Sequence, residues 1–134
     1  MILGVDYGAR RIGVAAADEV TRFARPVEVI DSRVTDPVER IAELVRELSA
    51  REVVVGRPIG LSGVSGPAVA AQQRFVARLR AAITADVTEH DERYTTVLAE
   101  RGLRASGARS QARRNARDSI AAQLLLQGYL DAQG

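Results

Sequence analysis

Four acidic residues, Asp6, Asp91, Glu92 and Asp118, stand where a carboxylate can do chemistry. Asp6 interrupts "ILGVDYG", an apolar run that otherwise reads as a buried strand, where an unpaired carboxylate is costly. Asp91 and Glu92 end "VTEHDER", the last segment with strand character. Asp118 stands at the start of the closing helical segment, on one stripe with Ala121, Ala122, Leu125 and Tyr129. Strand ends and a helix start on a mixed sheet can converge on one cleft. Carboxylates gathered there repel one another and raise their pKa values unless a cation neutralises them. Mg²⁺ or Mn²⁺, hard and oxygen-seeking, suits such a site. Two such ions can activate a water and support the leaving oxygen of a phosphodiester. Each acid alone has a plainer reading: Asp118 as a helix N-cap, Asp91 and Glu92 as a solvated turn beside Arg93. A strand interior offers Asp6 no such role.

The elements that must position these acids follow from the pattern. "ILGVDYG" and "RIGVAAAD" read as a hairpin, its first strand central. Gly8 and Gly13 suit the turn and close backbone approach. "RPVEVI" alternates as a more exposed third strand, with Pro26 at its start. Asp36 as N-cap and Pro37 as first helical residue begin a helix carrying Val38, Ile41, Leu44, Val45 and Leu48. "EVVVG" reads as a buried parallel strand. A Gly/Pro/Ser loop, "RPIGLSGVSG", leads to a helix from about Pro67 to Ile83. After the strand "DVTEHDER" come a helix beginning at "TTVLAERGLRAS", a basic loop or irregular helix start at "GARSQARRNAR", and the final helix. The order predicts an α/β fold: a three-strand antiparallel meander plus two parallel strands in one mixed five-stranded sheet, with helices on both faces.

The 134 residues suit one domain spanning 1–134. No apolar run reaches the ~18 residues of a membrane span, and the N-terminus lacks secretory-signal features. Without cysteine and with a single histidine, His90, thiolate sites and His-based zinc sites are excluded. A cytoplasmic location fits. All 19 basic residues are Arg, and six of them fall between Arg101 and Arg117, against two acids in residues 101–134. That asymmetry points to a polyanion.

Four blocks, "DYGARRIGVA", "VVVGRPIGLSG", "DERYTTVLAE" and "RDSIAAQLLLQGYLD", together resemble the YqgF/RuvX family, in order from Ile2 to Asp131. These are small bacterial proteins of the RNase H-like superfamily, described as candidate Holliday junction resolvases and as pre-16S rRNA nucleases. The resemblance implies an RNase H-like fold and a Mg²⁺/Mn²⁺-dependent endonuclease. Asp6 matches the first-strand acid, a metal ligand across the superfamily, and Asp118 the acid of the last helix. Glu92 is the favoured strand-end ligand, with Asp91 as the alternative. Family members often carry Lys just before the last acid, whereas this chain has Arg113, Arg114 and Arg117. Phosphate contact survives that change; a Lys-specific role does not. Arg57 replaces a frequent Leu. Arg10, Arg11, Arg57, Arg93, Arg109, Arg113, Arg114 and Arg117 are the expected nucleic-acid contacts.

Three classes of function follow. The leading one is hydrolysis of structured nucleic acid, with precursor rRNA as first substrate and branched DNA at a Holliday junction as second, by a monomer or homodimer. With two Phe, three Tyr and no Trp, recognition leans on backbone and shape. A nucleotide-binding domain of the actin type also begins with Asp-x-Gly, but it binds nucleotide between two such domains. A non-catalytic RNA-binding assembly factor is the third.

Overall fold

The computed structural model describes residues 1–57, 66–91 and 110–133, with side chains of the last helix described from Asp118 onward. Five strands form one sheet: β1 (Ile2–Asp6), β2 (Arg11–Ala17), β3 (Ala24–Asp31), β4 (Glu52–Arg57) and β5 (Asp86–Asp91), in the order β3-β2-β1-β4-β5. β1, β2 and β3 pair antiparallel, and β4 pairs parallel with β1 and with β5. Helices α1 (Pro37–Glu47) and α2 (Pro67–Ala82) cover one face, and α3 (Ser110–Ala132) covers the other. This is the predicted mixed sheet. The expected helix beginning at "TTVLAERGLRAS" lies outside the described residues.

Local chemistry explains the boundaries. The Asp36 carboxylate accepts from Val38 N–H at 3.1 Å, and Pro37 sits at the first helical position, so α1 starts where its cap requires. Its buried side is Val38, Ile41, Ala42 and Leu44. β3 begins two residues before Pro26, which sits where the β2–β3 register shifts between Val14 and Ala15. A residue without N–H is tolerated at a bulge on an edge strand.

Alternation divides the central strands between two cores. Leu3, Val5, Ile12, Val14, Val53 and Val55 pack with Ile41, Leu44, Phe75, Val76 and Leu79 of α1 and α2. Ile2, Ala15, Ala17 and Val54 pack with Ala122, Leu126 and Leu130 of α3. The α3 side is lined by small residues, so the helix sits low on the sheet. A Cβ at Gly4 would lie 2.7 Å from Leu126 Cβ, and one at Gly13 would collide with the Asp118 carbonyl oxygen. Among the described residues no helix is long and apolar enough to cross a membrane.

Candidate active site

The closeness of α3 to the hairpin sets the geometry of the site. Asp6, the last residue of β1, is paired with Gly13 of β2. Alternation gives Asp6 the face of Ile2 and Gly4, the face that α3 covers. Gly13 is also where the α3 backbone touches the sheet, at Asp118. Asp6 and Asp118 therefore lie at one end of the sheet, on one face, each next to Gly13. Both are partly buried.

Asp118 corrects one expectation. It does not start the final helix: α3 begins at Ser110, eight residues earlier. The basic stretch from Ser110 to Arg117 is helical backbone rather than loop, because it continues the helix that Asp118 was expected to open. An N-cap role for Asp118 is thereby removed. Its carboxylate is held from the hairpin instead: Arg11 Nε donates to Asp118 Oδ2 at 2.7 Å. The two side chains are 20% and 18% exposed, so solvent screens this pair only partly. Arg11, expected at a hairpin tip facing substrate, opens β2 and is committed to Asp118. Arg10 is exposed.

The strand-end acids separate by face. On β5, Thr88 donates to Glu52 Oε2 and His90 meets the Tyr129 ring, both on the α3 side. Glu89 accepts from Gln72 of α2 at 3.1 Å. Asp91 shares that α2 side: Arg57 Nε donates to Asp91 Oδ1 at 2.9 Å. Asp91 thus lies on the face opposite Asp6 and Asp118 and already neutralises Arg57. Glu92, Arg93, Arg109 and the loop after Arg57 lie outside the described residues, and Arg113, Arg114 and Arg117 lie on α3 ahead of its described side chains.

Asp6 and Asp118 are oxygen donors of the kind Mg²⁺ and Mn²⁺ take. No group of three metal-ligating side chains is assembled among the described residues. The donor chemistry of these two carboxylates fits a hard divalent ion.

A buried network that the motifs did not signal anchors the other end of this face. Glu52, 8% exposed, accepts from Tyr129 Oη at 2.6 Å and from Thr88 Oγ1 at 2.9 Å. Burial, then the Glu52 carboxylate, pushes the Tyr129 hydroxyl pKa up. The contacts tie α3 to β4 and β5 and so fix the helix that carries Asp118.

Comparison with known proteins places this architecture. Residues 1–132 match the RuvX family, described as Holliday junction resolvase. A Chloroflexus aggregans protein named as a candidate pre-16S rRNA nuclease is 44% identical over 133 residues, covering 98% of this chain and 94% of its own. A Nocardia farcinica protein of the same name is 44% identical, covering 96% of this chain and 76% of its own. Among solved structures, T. thermophilus RuvC in complex with a Holliday junction superposes with a TM-score of 0.60 at 16% identity, over 98% of this chain and 94% of that one. Fowlpox virus resolvase with Holliday junction DNA gives 0.56 at 10% identity, over 98% and 97%. At such identities the likeness is one of fold, and the fold is RNase H-like.

Proposed function

The chain belongs to the RuvX family, and from that membership we propose that it is a metal-dependent endonuclease of structured nucleic acid that processes pre-16S rRNA in the cytoplasm. The observation that carries the reading is the placement of Asp6 and Asp118 on one face, each next to Gly13, from positions far apart in the chain. Nothing in strand or helix formation calls for that pair. The relatives' shared name supports precursor rRNA as the substrate.

Glu92 is the third proposed ligand. Asp91 faces α2 and is paired with Arg57, which supports Glu92 over its neighbour. Bound Mg²⁺ or Mn²⁺ would supply a water of lowered pKa and a Lewis acid at the leaving oxygen. The chain's own residues do the rest. Asp6 is fixed by its strand and Asp118 by a long packed helix, so the donors are held in place before substrate arrives. Arg11 holds Asp118 and keeps its charge compensated. Arg10 and the Arg residues of 101–117 supply backbone contacts whose strength falls as salt rises.

Branched DNA is the second reading, favoured by the family's description as Holliday junction resolvase. One assay separates them: cleavage with Mn²⁺ of precursor rRNA ends against four-way DNA junctions, with Asp6→Asn as control. Cleavage of the RNA alone, lost in Asp6→Asn, supports the first reading. Cleavage of the junction alone supports the second, and intact cleavage by Asp6→Asn contradicts both.

A further inference from the structure

The face of the sheet away from α3 carries a second concavity. Under the tip of the β1–β2 hairpin, against α1 and α2, lies an open cleft of about 300 Å³. Its floor is apolar, with Tyr7, Ile12, Pro37 and Phe75. The Tyr7 and Phe75 ring centroids are 4.7 Å apart, with planes tilted by 33°. Arg74 and Arg78, one turn apart on α2, also line it.

Charge sets this cleft apart. The α2 sequence "PAVAAQQRFVARLRAA" contains Arg74, Arg78 and Arg80 and no acid. Arg78 donates to Asp36 Oδ2 at 3.0 Å, and Arg80 donates to Val87 O at 3.2 Å. Arg74 is exposed and has no such partner among the described residues. An exposed guanidinium lining the same cleft as the partly exposed Tyr7 ring matches a phosphate joined to a base: the fork grips the phosphate and the Tyr7 ring accepts the base.

Position links the cleft to the proposed site. Tyr7 follows Asp6 directly; it packs against the α1/α2 core, while Asp6 takes the α3 face. The two features are therefore on opposite faces at the same strand end. The volume sits at the bottom of the range of ligand pockets, about 300–1,000 Å³. That suits a single nucleotide.

We propose that this cleft binds one nucleoside phosphate of an unpaired strand next to the scissile bond. This rests on the nuclease reading, and it makes a single-stranded flank part of the substrate. A strand crossing the end of β1 passes from the carboxylates on one face to Tyr7 and Arg74 on the other.

The test is a binding measurement without divalent metal, so that no cleavage occurs and the result does not depend on catalysis. Fluorescence anisotropy compares an RNA hairpin carrying a short single-stranded tail with the same hairpin made blunt. The variants are Arg74→Glu, which reverses the free charge, and Ala71→Leu, which fills the cleft without changing charge. Thermal melts check that both fold. Wild type should prefer the tailed hairpin, and both variants should weaken it about tenfold while changing the blunt one by less than about twofold. Equal binding of the two hairpins by wild type, or equal losses on both, would overturn the proposal. A nucleoside monophosphate that competes as well as the tail does would also overturn it, by making a free nucleotide the ligand. An inactive protein that keeps its tail preference would contradict the nuclease reading and leave the cleft assignment standing.

Discussion

Arg11 Nε and Asp118 Oδ2 lie 2.7 Å apart, joining the start of β2 to a helix residue 107 positions further along the chain. The proposed metal ligand therefore already has a cation beside it. A divalent ion bound there would share that carboxylate with Arg11, so each would affect the binding of the other.

Arg11→Gln tests that coupling in two ways. In metal-free buffer it should lower stability by about 1 kcal/mol, the scale of a partly exposed pair whose surviving partner stays partly solvated. A double-mutant cycle with Asp118→Asn should show most of that loss as interaction energy. Calorimetry should show Mn²⁺ binding Arg11→Gln more tightly than wild type, since the ion no longer competes with a guanidinium. Weaker binding would mean that Arg11 serves mainly to orient the carboxylate.

Gly13 controls how closely α3 approaches. Gly13→Ala places a methyl group against the Asp118 backbone, which cannot yield as a side-chain tip can. Overpacking of this kind costs about 1–3 kcal/mol, and the upper part of that range is expected here. Gly4→Ala meets Leu126 Cβ at 2.7 Å and the Ala122 carbonyl oxygen at 3.2 Å, a milder overlap, and should cost less. Denaturant melts check the order. Gly13→Ala should also weaken Mn²⁺ binding by displacing Asp118, and Gly4→Ala, which pushes α3 one turn or more further along, should do so less.

Much of this was legible in the sequence. The short apolar runs "ILGVD" and "RIGVAAA", and the cap at Asp36–Pro37, identify β1, β2 and α1. Asp6 stood out because a carboxylate in a strand interior needs a reason. The start of α3 was not legible: "GARSQARRNAR" has glycine and charge but no apolar stripe, so helix and loop look alike until the packed part downstream fixes the phase. The sequence favours Glu92 and keeps Asp91 as the alternative, since strand phase at a terminus depends on pairing. The β4–β5 register places Asp91 opposite Arg57. The cleft at Arg74 left one signal, a helix with three Arg and no acid.

Asp91→Asn and Glu92→Gln should behave differently. The first removes the Arg57 partner on the α2 face and should keep cleavage. It leaves Arg57 free, so nucleic-acid affinity should rise and its salt dependence steepen by up to about one unit of slope. Glu92→Gln should abolish Mn²⁺-dependent cleavage. Cleavage lost in Asp91→Asn and kept in Glu92→Gln would reverse the assignment.

The Tyr129–Glu52 bond gives a pH signature. The Tyr129 pKa is raised in the folded protein, first by burial and then by the adjacent carboxylate. Its contribution to stability is full below the unfolded value near 10 and is lost as pH rises above it through the folded pKa. Tyr129→Phe should flatten that alkaline decline. At neutral pH it should cost about 1–2 kcal/mol, because the Glu52 oxygen at 2.6 Å loses a donor. Unfolding free energies measured from pH 8 to 12 check both effects.

Asp6 and Asp118 are proposed as one metal-dependent hydrolytic site acting on precursor rRNA. The most direct measurement is Mn²⁺-dependent cleavage of a pre-16S rRNA end by wild type, Asp6→Asn and Asp118→Asn, with RNA binding measured in parallel. Cleavage by wild type only is expected, with a drop of at least about a hundredfold in each variant and RNA affinity within about threefold throughout. Undiminished cleavage by either variant would contradict this assignment.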